Sequence, residues 1–182
     1  MLKKLAPFFA VLLSVLLDTS IIHVFYHGVY LIPLSLIMVL LISALCGRTQ
    51  GVLCGMIAGL IMDVTTGSLG LKLFGYIAIG FLMGFLLYGQ NPHEADRNTR
   101  ISNMISRAVW TFVLVGLYEI VMFVYQYFCT AVFEWVFVQH MLVRLCAVVL
   151  LFTLLFPLFR RIFLGKASRF DQAQTTREVK NF

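Results

Sequence analysis

Four ionisable side chains stand inside long apolar runs of this 182-residue chain: Asp18, Asp63, Glu119 and Arg144. A charge held at the centre of a bilayer costs about 2.5–3.5 kcal/mol on insertion scales, so such groups turn towards neighbouring helices and find partners. Three carboxylates and one guanidinium suit an ion pair between helices, a site for a polar ligand, or stages of a proton relay. Of the four histidines, only His140 lies within a run; His23 and His27 fall at a run's edge and His93 in a polar loop. No Ser-His-Asp order, phosphate-cradling loop or metal-ligand spacing accompanies them, so the pattern points away from an enzyme and implies no cofactor and no metal. Cys46, Cys54, Cys129 and Cys146 form no CxxC pair and have no histidine at ligand spacing. They read as small hydrophobes rather than ligands or disulfide partners.

The elements that must position these charges are set by composition. The chain is 61% hydrophobic and 12% charged, against about 45–50% and 25% in soluble domains. That leaves too little polar surface to coat a water-facing body, and far too much apolar surface for intrinsic disorder. The expected class is an all-α polytopic membrane protein. Six apolar runs can be marked: Leu5 to Phe25, Val29 to Cys46, Gly51 to Val64, Leu69 to Tyr88, Ala108 to Cys129 and Val132 to Phe159. At about 20 residues per crossing they predict six transmembrane helices over residues 1–160. One composition break, Gly89 to Arg107, separates the fourth and fifth runs. The basic stretch 161–182 lacks apolar periodicity and is expected to be a disordered tail.

Six crossings put both termini on one side. With the N-terminus inside, Lys3, Lys4, Arg48, Arg97, Arg100, Arg107 and the six cations from Arg160 to Lys180 all face the cytoplasm, which is 12 of the 14 Lys and Arg. The positive-inside rule favours this orientation over its inverse. The net charge of +6 is thus a topology signal rather than a nucleic-acid footprint, and those cations also suit anionic lipid. Aromatics agree, with Tyr26, Tyr30, Tyr125, Tyr127 and Trp135 near the outer face and Tyr88 and Trp110 near the inner one. On this layout Asp18, Asp63 and Glu119 each lie about 20 Å from the inner end of their helix, and Arg144 about 12–15 Å from the outer end of its own. The four are expected to share one buried polar layer, with Arg144 paired to one of the three carboxylates.

Glycine supplies the second pattern. Ten of the 13 glycines fall between Gly47 and Gly89. Gly51, Gly55 and Gly59 recur every four residues along one helix face, and Gly80 and Gly84 repeat the spacing in the next helix. Faces of this kind let helix backbones approach closely. They serve either packing within the chain or docking of another membrane protein.

The stretch Gly55-Met-Ile-Ala-Gly59-Leu-Ile-Met-Asp63-Val-Thr-Thr-Gly67-Ser-Leu-Gly70-Leu, continuing through Tyr76 to Gly84, resembles the signature of the rod shape-determining MreD family. Gly55, Gly59, Asp63, Gly67 and Gly70 match that pattern position by position; Asp18, Glu119 and Arg144 belong to no motif of it. The resemblance covers about 30 residues, and beyond them only hydropathy and topology agree. It implies the six-helix fold of the substrate-binding S-components of energy-coupling-factor transporters. It further implies a non-enzymatic component of the bacterial inner membrane, working in the elongation (Rod) complex that maintains cell shape and lateral peptidoglycan synthesis. The implied partner is MreC, and through it MreB filaments, a SEDS (shape-elongation-division) glycosyltransferase and a class B penicillin-binding transpeptidase. The competing reading is a vitamin-type S-component whose acidic layer lines an outward-facing pocket. Against it, the loop after the third run is short, with only Thr65, Thr66 and Ser68 as polar side chains.

Overall fold

The computed structural model of the chain describes residues 2–24, 33–67, 70–87, 97–130 and 135–164. These form six helices: α1 (Leu2–Val24), α2 (Leu34–Cys46), α3 (Arg48–Thr66), α4 (Leu71–Leu87), α5 (Arg97–Thr130) and α6 (Trp135–Leu164). There is no strand among the described residues. Three stretches, Arg48–Thr66, Ser102–Phe128 and Val138–Arg161, are long and apolar enough to cross a membrane. Ala6–Ser20, Leu34–Cys46 and Leu71–Leu87 are shorter apolar stretches.

Helix α2 is the axis of the bundle. Every side chain from Ser35 to Leu45 is buried, as expected of a helix that is apolar all round. It touches α1, α3, α4 and α6. Val11 and Val15 of α1, Met83 of α4, and Leu145, Val148 and Phe152 of α6 complete the core around it. Helix α5 packs against α4 and α6 and adds Leu114 and Val115 to the core. The outer surface is the reverse of a soluble protein's: Phe9, Leu13, Val64, Phe74, Phe85, Leu117, Phe128 and Leu150 are all more than half exposed, while Asp18 and Glu119 are buried. Such a surface is compatible with a membrane protein.

Several helix ends differ from the expected ones. The polar interruption around residues 48–50 belongs to α3, and Gly47 alone, at φ 93°, separates α2 from α3. Helix α5 begins at Arg97, so half of the charged break is helical. Arg, Asn and Ser tolerate a helix that already has an apolar continuation to propagate from, and Arg107 stacks over the Phe156 ring of α6 at 4.4 Å. Helix α6 likewise runs past Arg160 to Leu164. Helix α2 starts late because Pro33 stands at its N-cap. The tail from 165 onwards, the loop 88–96, Tyr26, Tyr30, Tyr88 and Ser68 lie outside the described residues.

Candidate functional site: a capped, glycine-packed hairpin and an interhelical ion pair

Helices α3 and α4 form the closest pair in the molecule. A Cβ added to Gly55 would lie 2.5 Å from the carbonyl oxygen of Tyr76, and one on Gly59 would lie 2.6 Å from the Leu73 Cα. At Gly51 it would meet the carbonyl oxygen of Gly80 at 2.5 Å as well as the Ser43 hydroxyl of α2. At Gly80 it would strike the Gly51 carbonyl, and at Gly84 it would lie 2.6 Å from the Arg48 Cα. The two glycine rows therefore face each other, backbone on backbone. The face is filled by the chain itself and is not an open surface for a partner.

The turn that closes this hairpin is held by Asp63. Its carboxylate accepts from the backbone N–H of Lys72 at 3.1 Å and of Leu73 at 2.8 Å, two of the unpaired donors in the first turn of α4. The side chain thus caps a helix from the end of the preceding one, and the positive end of the α4 dipole offsets its charge. Gly67 (φ 66°) and Gly70 (φ 88°) supply the left-handed backbone of the turn, with open space around both. Lys72 Nζ donates to the Thr66 hydroxyl at 2.8 Å.

Asp18 does the same for the first hairpin. It accepts from the N–H of Leu34 at 3.0 Å and of Ser35 at 2.7 Å, where α2 begins. From there a polar line crosses the core. Ser35 Oγ lies 2.9 Å from the Tyr76 hydroxyl, and the Tyr118 ring meets the Tyr76 ring edge-on at 6.0 Å. Tyr118 also covers Gly75 so closely that a Cβ there would be 2.5 Å from its Cε2.

Glu119 and Arg144 form the third arrangement. Arg144 Nη1 donates to both Glu119 carboxylate oxygens at 3.5 Å. The Glu119 side chain is 5% exposed and that of Arg144 41%. Asp18, Asp63, Glu119 and Arg144 are thus engaged in three contacts. Asp18 and Asp63 each hold a helix N-terminus, and the carboxylate that pairs with Arg144 is Glu119. Ser35, Lys72, Tyr76 and Tyr118 were not singled out for roles from the sequence. Pro33 two residues before Ser35, and a tyrosine inside a glycine-spaced helix, are the signals that mark two of them.

A cavity of about 270 Å³ opens between α4 and α5, lined by Phe74, Gly75, Ala78, Leu82, Tyr118 and Met122 among others. Its walls are almost wholly apolar, and the carboxylates do not line it. No three metal-ligating side chains gather among the described residues. Comparison with known proteins finds no matching family model, no matching curated protein and no matching solved structure.

Proposed function

We propose that this chain is a non-enzymatic scaffold of the bacterial inner membrane, an MreD-like component of the elongation complex that acts with MreC in rod shape and lateral peptidoglycan synthesis. On this reading it crosses the membrane six times, in an arrangement like that of the S-components, with both termini in the cytoplasm. MreC would connect it to MreB filaments, the SEDS glycosyltransferase and the class B transpeptidase.

The observation that carries the reading is the α3–α4 hairpin. The residues that match the MreD pattern are those that build it: Gly55 and Gly59 at the backbone contact, Asp63 as the cap of α4, Gly67 and Gly70 in the turn. A rigid hairpin of this kind suits a protein whose work is to hold a shape for others. The rest of the mass is apolar helix, so contacts with partners fall to lipid-facing helix surfaces, short loops and the cationic end segments.

The vitamin-binding alternative needs carboxylates presented to a ligand. Asp18 and Asp63 already have both oxygens engaged by backbone amides. The apolar α4–α5 cavity is the feature that favours the alternative. Depletion in a rod-shaped host, with affinity recovery of the tagged chain, tests the two. Rounded cells and co-recovery of an MreC-like protein support the scaffold. Unchanged shape, or a vitamin carried through purification, overturns it.

A further inference from the structure

Arg144 is the exposed member of the Glu119–Arg144 pair. A guanidinium carries five N–H donors. Nη1 points to Glu119 at 3.5 Å, and 41% of the side chain remains exposed on a protein surface that is otherwise hydrocarbon-like. Its depth is fixed by α6: it lies nine residues after Trp135, or about 13 Å along the axis. Its direction is fixed by Glu119, on the neighbouring α5, which draws the head sideways rather than along α6 towards the helix end. Around it the surface is apolar. Ile120 and Val143, next in sequence to Glu119 and Arg144, are 50% and 47% exposed.

We propose that the seam between α5 and α6 at Arg144 docks a transmembrane helix of another protein, one that carries an Asp or Glu at the depth of Arg144. The match is one of hydrogen bonding more than of net charge, since Glu119 already offsets Arg144. The half-exposed guanidinium has N–H donors beyond the one aimed at Glu119, and a carboxyl group brought in on an apolar helix completes a Glu119–Arg144–carboxyl triad. The flanking apolar side chains of that helix then cover Ile120 and Val143. A lipid phosphate is the poorer occupant, because reaching a guanidinium held about 13 Å along α6 requires local thinning of the bilayer. The inference rests on the scaffold reading only in expecting a protein partner; its own claim is the acidic helix.

The test uses the full chain in its native membrane, with a photo-crosslinking residue placed at Val143, at Ile120, or at Leu60 of α3, which is 51% exposed, as the control face. Val143 and Ile120 are expected to give an adduct with one integral membrane protein, mapped to a transmembrane segment containing Asp or Glu, and Leu60 none. Arg144→Gln is expected to lower the adduct about tenfold. The uncharged pair Glu119→Gln with Arg144→Gln removes the buried charge that threatens folding of the single variant, and it is expected to lose the adduct as well. Arg144→Glu combined with a change of the partner's acid to Lys is expected to restore it. Full adduct yield in the double Gln variant, no adduct at either position, an adduct with a second copy or with phospholipid alone, or a mapped segment without a carboxylate each overturn the proposal. Charge-swap rescue in cells whose shape ignores depletion leaves this docking site standing and removes the scaffold reading. Rounding on depletion without an adduct does the reverse.

Discussion

Asp63 and Glu119 look alike in the sequence, each a lone carboxylate in an apolar run, yet they do different work. Asp63 satisfies the Lys72 and Leu73 amides, so its replacement uncaps α4. Asp63→Ala is expected to cost about 1 kcal/mol, within the 0.5–2 range for lost caps. Asp63→Asn, which keeps one acceptor oxygen, is expected to cost less. Thermal unfolding in detergent of the two variants checks the order, and equal losses would mean that charge rather than hydrogen bonding matters at this position. Glu119 instead depends on Arg144. Removing one member strands the other in a poorly solvated site at roughly 1.5–3 kcal/mol, less whatever the exposed side of Arg144 recovers from water. Removing both leaves nothing stranded. The double Gln variant is therefore expected to unfold at a higher temperature than either single Gln variant, a non-additivity that a mutant cycle reads directly.

The helices carry a regularity that no single residue reveals. Each odd-numbered helix holds one buried or half-buried carboxylate late in its course, and each reaches into the helix that follows: Asp18 into α2, Asp63 into α4, Glu119 to Arg144 of α6. The chain is thus three helical hairpins with one polar latch apiece, although its halves show no sequence repeat. Half of this was legible beforehand. The carboxylates stood out against their apolar runs, and the glycine spacing marked the α3–α4 face. What each carboxylate binds was not legible, because two of the three partners are backbone amides, which every sequence position offers alike. The glycines sort by the same geometry. Gly55→Ala and Gly59→Ala would drive a methyl into backbone at 2.5 and 2.6 Å, and each is expected to destabilise by about 1–3 kcal/mol. Gly116→Ala meets nothing nearer than a Leu145 methyl at 4.0 Å, so it is expected to be neutral or to stabilise α5 by up to about 1 kcal/mol. Melting of the three variants side by side distinguishes close packing from a general dislike of added bulk.

At the scale of the molecule, surface and charge placement govern how the helices are disposed. Composition alone is a poor stop signal for these helices. Arg97 to Arg107 reads as a loop in the sequence but is helix, because an apolar helix already propagating can carry a charged extension beyond the hydrocarbon at little cost. A charged extension of α5 stays on the same side as the loop it replaces, so the expected orientation is unchanged. On the proposed topology of six crossings with 12 of the 14 cations inside, reporters fused to the two ends are both expected in the cytoplasm. The weight of that bias lies in the short segments next to the helices, in particular Lys3 and Lys4, and Arg160 with Arg161 at the far end of α6. Replacing Arg160 and Arg161 by Glu is expected to leave the N-terminus in place, because the first helix usually sets orientation, while loosening the anchoring of α6. An alkaline phosphatase fusion at residue 164 is then expected to stay inactive in the native chain and to gain partial activity in the variant. Strong activity of that fusion in the native chain would place α6 the other way round, leave an odd number of crossings, and move Arg144 to the opposite leaflet from Asp18 and Asp63. The Glu119–Arg144 pair, 3.5 Å apart between α5 and α6, argues against that outcome, because it holds Arg144 level with Glu119.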